Sequence, residues 1–427
     1  MASRADWDTV LVGDIAECRG GYGFPPSEQG HQSREIPFFK VSDMSLPGNG
    51  RTLGAANNSV ANDAPSRLKA RVFAPGAVVF PKIGAAIATN KKRLLARPSL
   101  IDNNLMAVWS KDDKRVSPEF LYYWFGTIDL ARLSASGPLP SITQHTVRQL
   151  TIALPSPQEQ SDIVAALTAL EQVRNDTSAV VTASHQLKRA LMEHLFEYGP
   201  VAVYDTHTVA LQTSDIGSAP SHWKVCPLAE CAKVQSGVTK GRKLDASTAT
   251  EVPYLRVANV QDGFLDLREI KTIKIKEGEV EKYGLRPGDV LLTEGGDIDK
   301  LGRGHIWRGE IKPCVHQNHV FAVRPDTGQL SSEYLAYLIQ SKYSKAYFLH
   351  VGHRTTNLAS INRTKLLAFP VLIPPANEQR AIVDRLQTVD RKIEVERKRL
   401  GALTRAFSSL RLELVTGQRA MIRRVAA

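Results

Sequence analysis

The sequence predicts an α+β chain: two globular mixed α/β halves alternate with two long helices that pack on each other, and the whole is an internal pseudo-twofold repeat. Three observations carry this expectation. One block of about forty residues recurs without a gap, each copy of the block has a helical apolar period, and the apolar frames upstream of the two blocks agree.

The recurring block opens at Leu154–Pro155–Ser156–Pro157–Gln158–Glu159–Gln160 and again at Ile373–Pro374–Pro375–Ala376–Asn377–Glu378–Gln379, an offset of 219 residues. With that offset Pro155 falls on Pro374, Gln160 on Gln379, Leu167 on Leu386, Leu191 on Leu410 and Leu195 on Leu414. The unit is too long for a solenoid, whose repeats run about 20–50 residues. It reads as a domain followed by a helix, used twice.

In the second copy Ile382, Leu386, Val389, Ile393, Glu396, Leu400, Leu403, Phe407, Leu410 and Leu414 are spaced alternately by four and three. That is the 3.5-residue period of a coiled-coil seam, interrupted only by Glu396. The first copy keeps the frame with a more polar middle: Ile163, Leu167, Leu170, Arg174, Thr177, Val181, Ser184, Lys188, Leu191 and Leu195. Gly199–Pro200 and Thr416–Gly417 supply the stops. A lone stripe would be an exposed apolar seam, so two in one chain are expected to pair; the alternative is that each packs on its own globular half.

Upstream, Val10–Cys18 corresponds to Val225–Cys231, Ile36–Met44 to Val252–Val260, Ala74–Phe80 to Arg286–Leu292 and Ser117–Leu121 to Ser331–Leu335. Strands are expected at Ala77–Phe80, Asp289–Leu292 and Val320–Val323, between Pro-Gly turns, and short helices at Phe120–Phe125 and Tyr334–Gln340. The expected boundaries are therefore 1–154, 155–199, 200–373 and 374–427. The apolar frames agree between the halves and the polar residues around them largely do not.

The net charge of +12 divides into +5 for 1–154, −3 for 155–199, +4 for 200–373 and +6 for 374–427. Both globular halves are basic, which suits a polyanion such as DNA, whereas the first helix is acidic and is expected to face protein. No run of eighteen apolar residues offers a membrane span, and Met1–Trp7 lacks a signal-peptide core. Four cysteines in 427 residues fit a reducing cytosol, so the expected location is cytoplasmic.

With these residues in place the chain resembles the specificity subunit of type I restriction–modification systems. The likeness covers nearly the whole length, including the helix ends Leu191–Phe196 and Glu413–Gln418. It implies two target-recognition domains, each reading one half of a split double-stranded DNA site. It also implies helices that run antiparallel as an intramolecular coiled coil and set the spacing. The implied partners are two methyltransferase subunits and, through them, a restriction motor-nuclease. Gly352–Leu358 does not repeat Ser136–Pro140, so that loop's backbone is expected to differ between the halves.

The chain's own chemistry is expected to be nil: no catalytic residue, no metal, no cofactor. Phe24–Pro25–Pro26 and Ile373–Pro374–Pro375 lack the preceding Asn or Asp of an adenine methyltransferase loop, and no phosphate-binding Gly-Lys-Ser/Thr loop occurs. A nuclease reading points to Asp289, Glu294, Asp297, Asp299 and Lys300, a cluster without a counterpart in the first half. A zinc reading points to Cys226, Cys231, Cys314, His316 and His319, but His316 and His319 align with Ile101 and Asn104. The rival functions are a self-contained methyltransferase or nuclease, and a scaffold that binds protein.

The DNA-contact candidates are basic or amide residues in the segments that differ. They are Lys40, Lys82, Asn90, Lys91, Lys92 and Arg93 in the first half, and Lys240, Arg242, Lys243, Arg256, Asn259, Lys300, Arg303 and Arg354 in the second. Lysines in such clusters contact phosphate, while an Arg or Asn at a base edge gives specificity. Tyr22 and Phe24 suit a sugar or base face as well as a core.

Overall fold

The structure is a computed structural model that describes residues 7–135, 139–242, 249–297, 301–354 and 358–418. The chain packs into two compact units, Met1–Ala179 with Arg397–Ala427, and Val180–Glu396. Each contains one globular head and a stretch of both long helices.

In the first unit, β1 (Ala16–Gly20), β2 (Thr52–Leu53), β3 (Val78–Pro81), β4 (Arg93–Leu95) and β5 (Leu105–Ser110) form a sheet of order β1-β5-β3-β4-β2. In the second unit, β6 (Ala232–Ser236), β7 (Val290–Thr293), β8 (Gly304–Ile306) and β9 (Val320–Pro325) form the sheet β6-β9-β7-β8. The two sheets share one topology, β2 apart. A small sheet repeats as well: Ile36–Phe39 pairs antiparallel with Asn58–Val60 and parallel with Leu100–Ile101, as Ala249–Leu255 does with Lys271–Lys276 and Val315–His316.

Each head places the same glycine at the end of its first sheet strand. A Cβ on Gly21 would lie 2.1 Å from the Ile101 carbonyl oxygen, and one on Gly237 would lie 2.0 Å from that of His316. Only glycine permits this backbone approach. The expected loop difference takes a specific form. The first head closes with single bridges of Ser141 to Ile83 and Ala135, whereas in the second head Leu358–Ser360 pairs with Gly295–Asp297 and with His353–Arg354.

The long helices run Pro157–Tyr198 and Ala376–Val415, 42 and 40 residues, about 60 Å each at 1.5 Å per residue. None of the heptad positions of either helix is exposed; each is buried or half-buried. In the first unit Ile163 and Leu167 share an apolar cluster with Phe407, Leu414 and Val415; in the second, Met192, Leu195 and Phe196 share one with Ile382, Val383 and Leu386. The start of one helix thus lies with the end of the other, which makes the pair antiparallel. The same clusters include head residues such as Phe120 and Tyr334, so each helix packs both on its partner and on a head. Thr177 and Ser184, inside the seam, are buried, Thr177 with its hydroxyl donated to the Val173 carbonyl.

Candidate nucleic-acid interface

What holds each head on the helices is a glutamine used twice. Gln160 is 1% exposed; its Oε1 accepts the Ser117 N–H at 2.9 Å, and its Nε2 donates to the carbonyls of Arg115 at 2.9 Å and Pro155 at 3.0 Å. Gln379 repeats this in the second unit, accepting from Ser331 N–H and donating to Gln329 and Pro374, all at 2.9 Å. Ser117 and Ser331 are themselves the N-caps of the head helices Pro118–Phe125 and Ser332–Gln340. The Glu-Gln signature at the helix entry is therefore a latch between helix and head.

About three turns further along each long helix, Tyr123 donates its hydroxyl to Glu171 at 3.1 Å, and Tyr337 donates to Asp390 at 2.7 Å. The acceptors are again related by the 219-residue offset. Burial pushes the Tyr123 hydroxyl up to about 12 and raises that of Tyr337 as well. Around Tyr123 lies Phe407, with Arg174 and Arg411 over its ring at 4.7 and 5.4 Å. At the position equivalent to Phe407 stands Lys188, which pairs with Asp390 at 2.7 Å over the Tyr337 ring.

Several candidate contact residues turn inward. Lys92 is 5% exposed and donates to Asn90 Oδ1 and the Ile128 carbonyl, each at 2.6 Å. Burial, with Arg411 nearby, lowers its pKa to about 8. Arg93 donates to the carbonyls of Asn49, Lys92 and Met44. Asn90, left-handed at φ 54°, also accepts the Leu130 N–H. Asn259 is buried, donating to the carbonyls of Asp266 and Glu269 and accepting the Arg256 N–H. The Lys40 N–H makes the matching turn to Asp43 at 2.8 Å. These groups hold loops in shape, and Lys92 and Asn259 present no accessible polar face.

Others are half-buried and paired. Arg242 meets Glu279 through two hydrogen bonds of 2.7 and 2.8 Å, which hold the Glu279 carboxyl down at about 2. Arg256 pairs with Glu269 at 3.5 Å, Arg303 donates to Gln261 at 2.7 Å, Lys91 to Ser45 and Lys40 to Gln29. Lys240 is exposed and Lys82 half-buried, with no partner for either ammonium among the described residues. Lys243 and Lys300 lie outside the described residues, as does the side chain of Arg354. Phe24 is core: it stacks at 3.9 Å on Phe38 and meets Tyr22 edge-on.

Of the nuclease cluster, Asp289 is 1% exposed and gripped by Arg324 through two bonds of 2.7 Å, and Glu294 contacts His319. Asp299 and the side chain of Asp297 lie outside the described residues. Cys226, Cys231 and Cys314 are buried free thiols, and His316 bonds to the Val320 carbonyl. Among the described residues no three His, Cys, Asp or Glu side chains converge as metal ligands, and no helix is long and apolar enough to cross a membrane.

A head used twice, each copy latched to the long helices, with shared scaffold and unlike surfaces, defines a class of two-headed proteins. The model of the type I restriction modification DNA specificity domain matches residues 4–183 and again 220–405, and the chain belongs to that family. It is 26% identical over 290 residues to the type I restriction enzyme MjaVIII specificity subunit of Methanocaldococcus jannaschii, covering 66% of this chain and 64% of that one. It is 25% identical over 314 residues to the StySPI specificity subunit of Salmonella potsdam, covering 70% and 65%. Against the first of its curated relatives the chain spans about half to two thirds of their length. The fold matches the type I restriction–modification S subunit from M. genitalium with a TM-score of 0.55 at 13% identity, covering 99% of both chains. It also matches a chain from a study of complex assembly in the type I system, with a TM-score of 0.57 at 17% identity over 97% and 98%.

Proposed function

We propose that the chain is a non-catalytic DNA-recognition subunit that reads a split, asymmetric target and places two methyltransferase subunits, and through them a restriction motor-nuclease, over it. The observation that carries this reading is the repetition of one scaffold with different polar surfaces. The latch, the tyrosine–carboxylate contact and the sheet order are duplicated, while the loops between them are not. A duplicated scaffold fits two similar tasks, and divergent loops fit two different half-sites.

Of the sequence candidates, Lys40, Lys82 and Lys91 on the first head and Lys240, Lys243, Lys300, Arg303 and Arg354 on the second remain as contacts. Lys92, Arg93, Asn90, Asn259, Arg242 and Arg256 act one step back, shaping the loops that carry the contacts. The exposed Val180 and Leu187, seven residues apart on the first long helix, suit a protein partner.

Methylome sequencing of a strain expressing the chain with its methyltransferase tests the reading. The expected result is one bipartite motif with unlike halves about 10 bp apart. A contiguous or palindromic motif, or none, refutes it.

A further inference from the structure

We infer that the second head carries a phosphate-binding cleft without counterpart in the first. The inference rests on the DNA reading above, and deepens it by naming where that head holds the backbone. The cleft, about 700 Å³, lies against the face of β6 and β9 and is bounded by the short helices Glu279–Tyr283 and Arg363–Leu367. Its lining includes Lys233, Lys282, Arg324 and Arg363 and no Asp or Glu.

Among the described residues a carboxylate neutralises one of those four cations. Arg324 is held by the buried Asp289. Arg363 donates through Nε and Nη2 to the Val234 carbonyl at 3.3 Å, which anchors the guanidinium while leaving its charge uncompensated. Lys282 rests over the Tyr283 ring at 5.1 Å, and Lys233 has no partner among the described residues. Lys233 also stands directly across the strand pair from Arg324, which brings the two side chains to one face of the sheet. Beside them the buried amide nitrogen of Gln235 has no acceptor. A cleft with three uncompensated cations and a spare amide donor takes an anion with several acceptor oxygens, and a phosphate is that chemistry.

The first head shows what the same place looks like without such a role. There Glu17 stands where Lys233 does and faces Trp109 in place of Arg324. Glu17 is within 3.8 Å of Arg148 on the corresponding short helix, Gln144–Arg148. The Lys233 position thus holds a carboxylate paired with an arginine in one head and an ammonium with no partner among the described residues in the other. The cleft also adjoins the loop read as a contact: β6 runs through Gly237 toward Lys240, and the Glu279–Tyr283 helix begins at the Glu279 that grips Arg242.

A DNA backbone phosphate and a free phosphate present the same oxygens, so the test has two arms. In the first, DNA binding by the full chain is titrated against salt for wild type, for Lys233→Gln/Lys282→Gln/Arg363→Gln, and for Arg148→Gln in the first head. The triple variant should flatten the log–log salt slope by about one unit, roughly 0.9 for the one phosphate lost, and keep its preference among sequences; Arg148→Gln should leave the slope in place. A triple variant with the wild-type slope overturns the cleft as a backbone contact while leaving the DNA reading intact. In the second arm, thermal unfolding is followed with inorganic phosphate at constant ionic strength. If wild type binds no DNA yet phosphate protects it and not the triple variant, the DNA reading fails and the anion site stands; if phosphate protects both equally, the site fails too. Circular dichroism of the variants, whose changed residues are exposed or, for Arg148, half-buried, checks folding.

Discussion

Gln160→Ala is the most direct probe of how a reading head is held. The substitution leaves the Ser117 N–H and the carbonyls of Arg115 and Pro155 without their partner, at a residue only 1% exposed. A lost hydrogen bond costs about 1 kcal/mol net, and more where the abandoned group stays dry. Three give about 3 kcal/mol, a factor on the order of a hundred in local opening. Native-state hydrogen exchange reads this, because local opening free energies differ across a structure. The Ser117 amide, which loses its acceptor, and the Phe120 and Leu121 amides of the capped helix should exchange roughly a hundredfold faster. Gln379→Ala should act in the same way on Ser331, Tyr334 and Leu335 in the other unit. A loss of protection below about fivefold, near 1 kcal/mol, would refute the latch. So would Gln379→Ala loosening the first head as much as the second.

Cysteines at Leu167 and Leu410, which belong to one apolar cluster, should cross-link under mild oxidation; failure to do so counts against the antiparallel register. Folded Lys92 has its pKa lowered to about 8 from 10.5, so the unfolded chain binds the extra proton between those values. Stability should therefore rise with pH across that window, and Lys92→Met should remove the rise; an identical pH profile for the variant would contradict burial as its cause. His305 and His316 are lowered to about 4 from 6.5, both chiefly by burial. The second unit should thus lose stability as pH falls from about 6.5 to 4, and His305→Gln with His316→Leu should flatten that loss in a pH series of urea melts.

The repeat made most of the architecture legible. A seam spaced by fours and threes needs only the order of apolar residues, and it reappears as positions of both helices that are all buried or half-buried. The glutamines were visible as a shared motif, but their role was not, because their partners are backbone groups some forty residues upstream. Loop cations were the least legible. Lys92 and Arg93 look in the sequence like a phosphate-binding run, yet a turn rich in outward carbonyls takes their hydrogens. Asn259 looks like a base reader and instead fills the inside of its own turn. Conversely Lys233, Lys282 and Arg363 come from three distant segments, and only the folded sheet brings them to one cleft. Charge in a loop says little until the neighbouring carbonyls and carboxylates are known.

The two units keep the latch and the tyrosine contact, and diverge where the neighbouring seam residue meets them. Phe407 in the first unit is 4% exposed between Tyr123, Arg174 and Arg411, with Glu171 the carboxylate nearby. Its counterpart Lys188 has a side chain 16% exposed and pairs with an Asp390 that is itself 37% exposed. Reciprocal substitutions should therefore be unequal. Lys188→Phe removes a partly solvated ion pair, worth about 1 kcal/mol or less, and gains a ring against Tyr337, leaving stability within about 1 kcal/mol of wild type. Phe407→Lys removes about 2–3 kcal/mol of apolar burial and sets a third cation beside Arg174 and Arg411, so the loss should exceed about 4 kcal/mol. Paired urea melts of the two variants measure the difference. Equal losses would mean that the seam position is indifferent to its surroundings, and that the cations around Phe407 have no share in docking the first head.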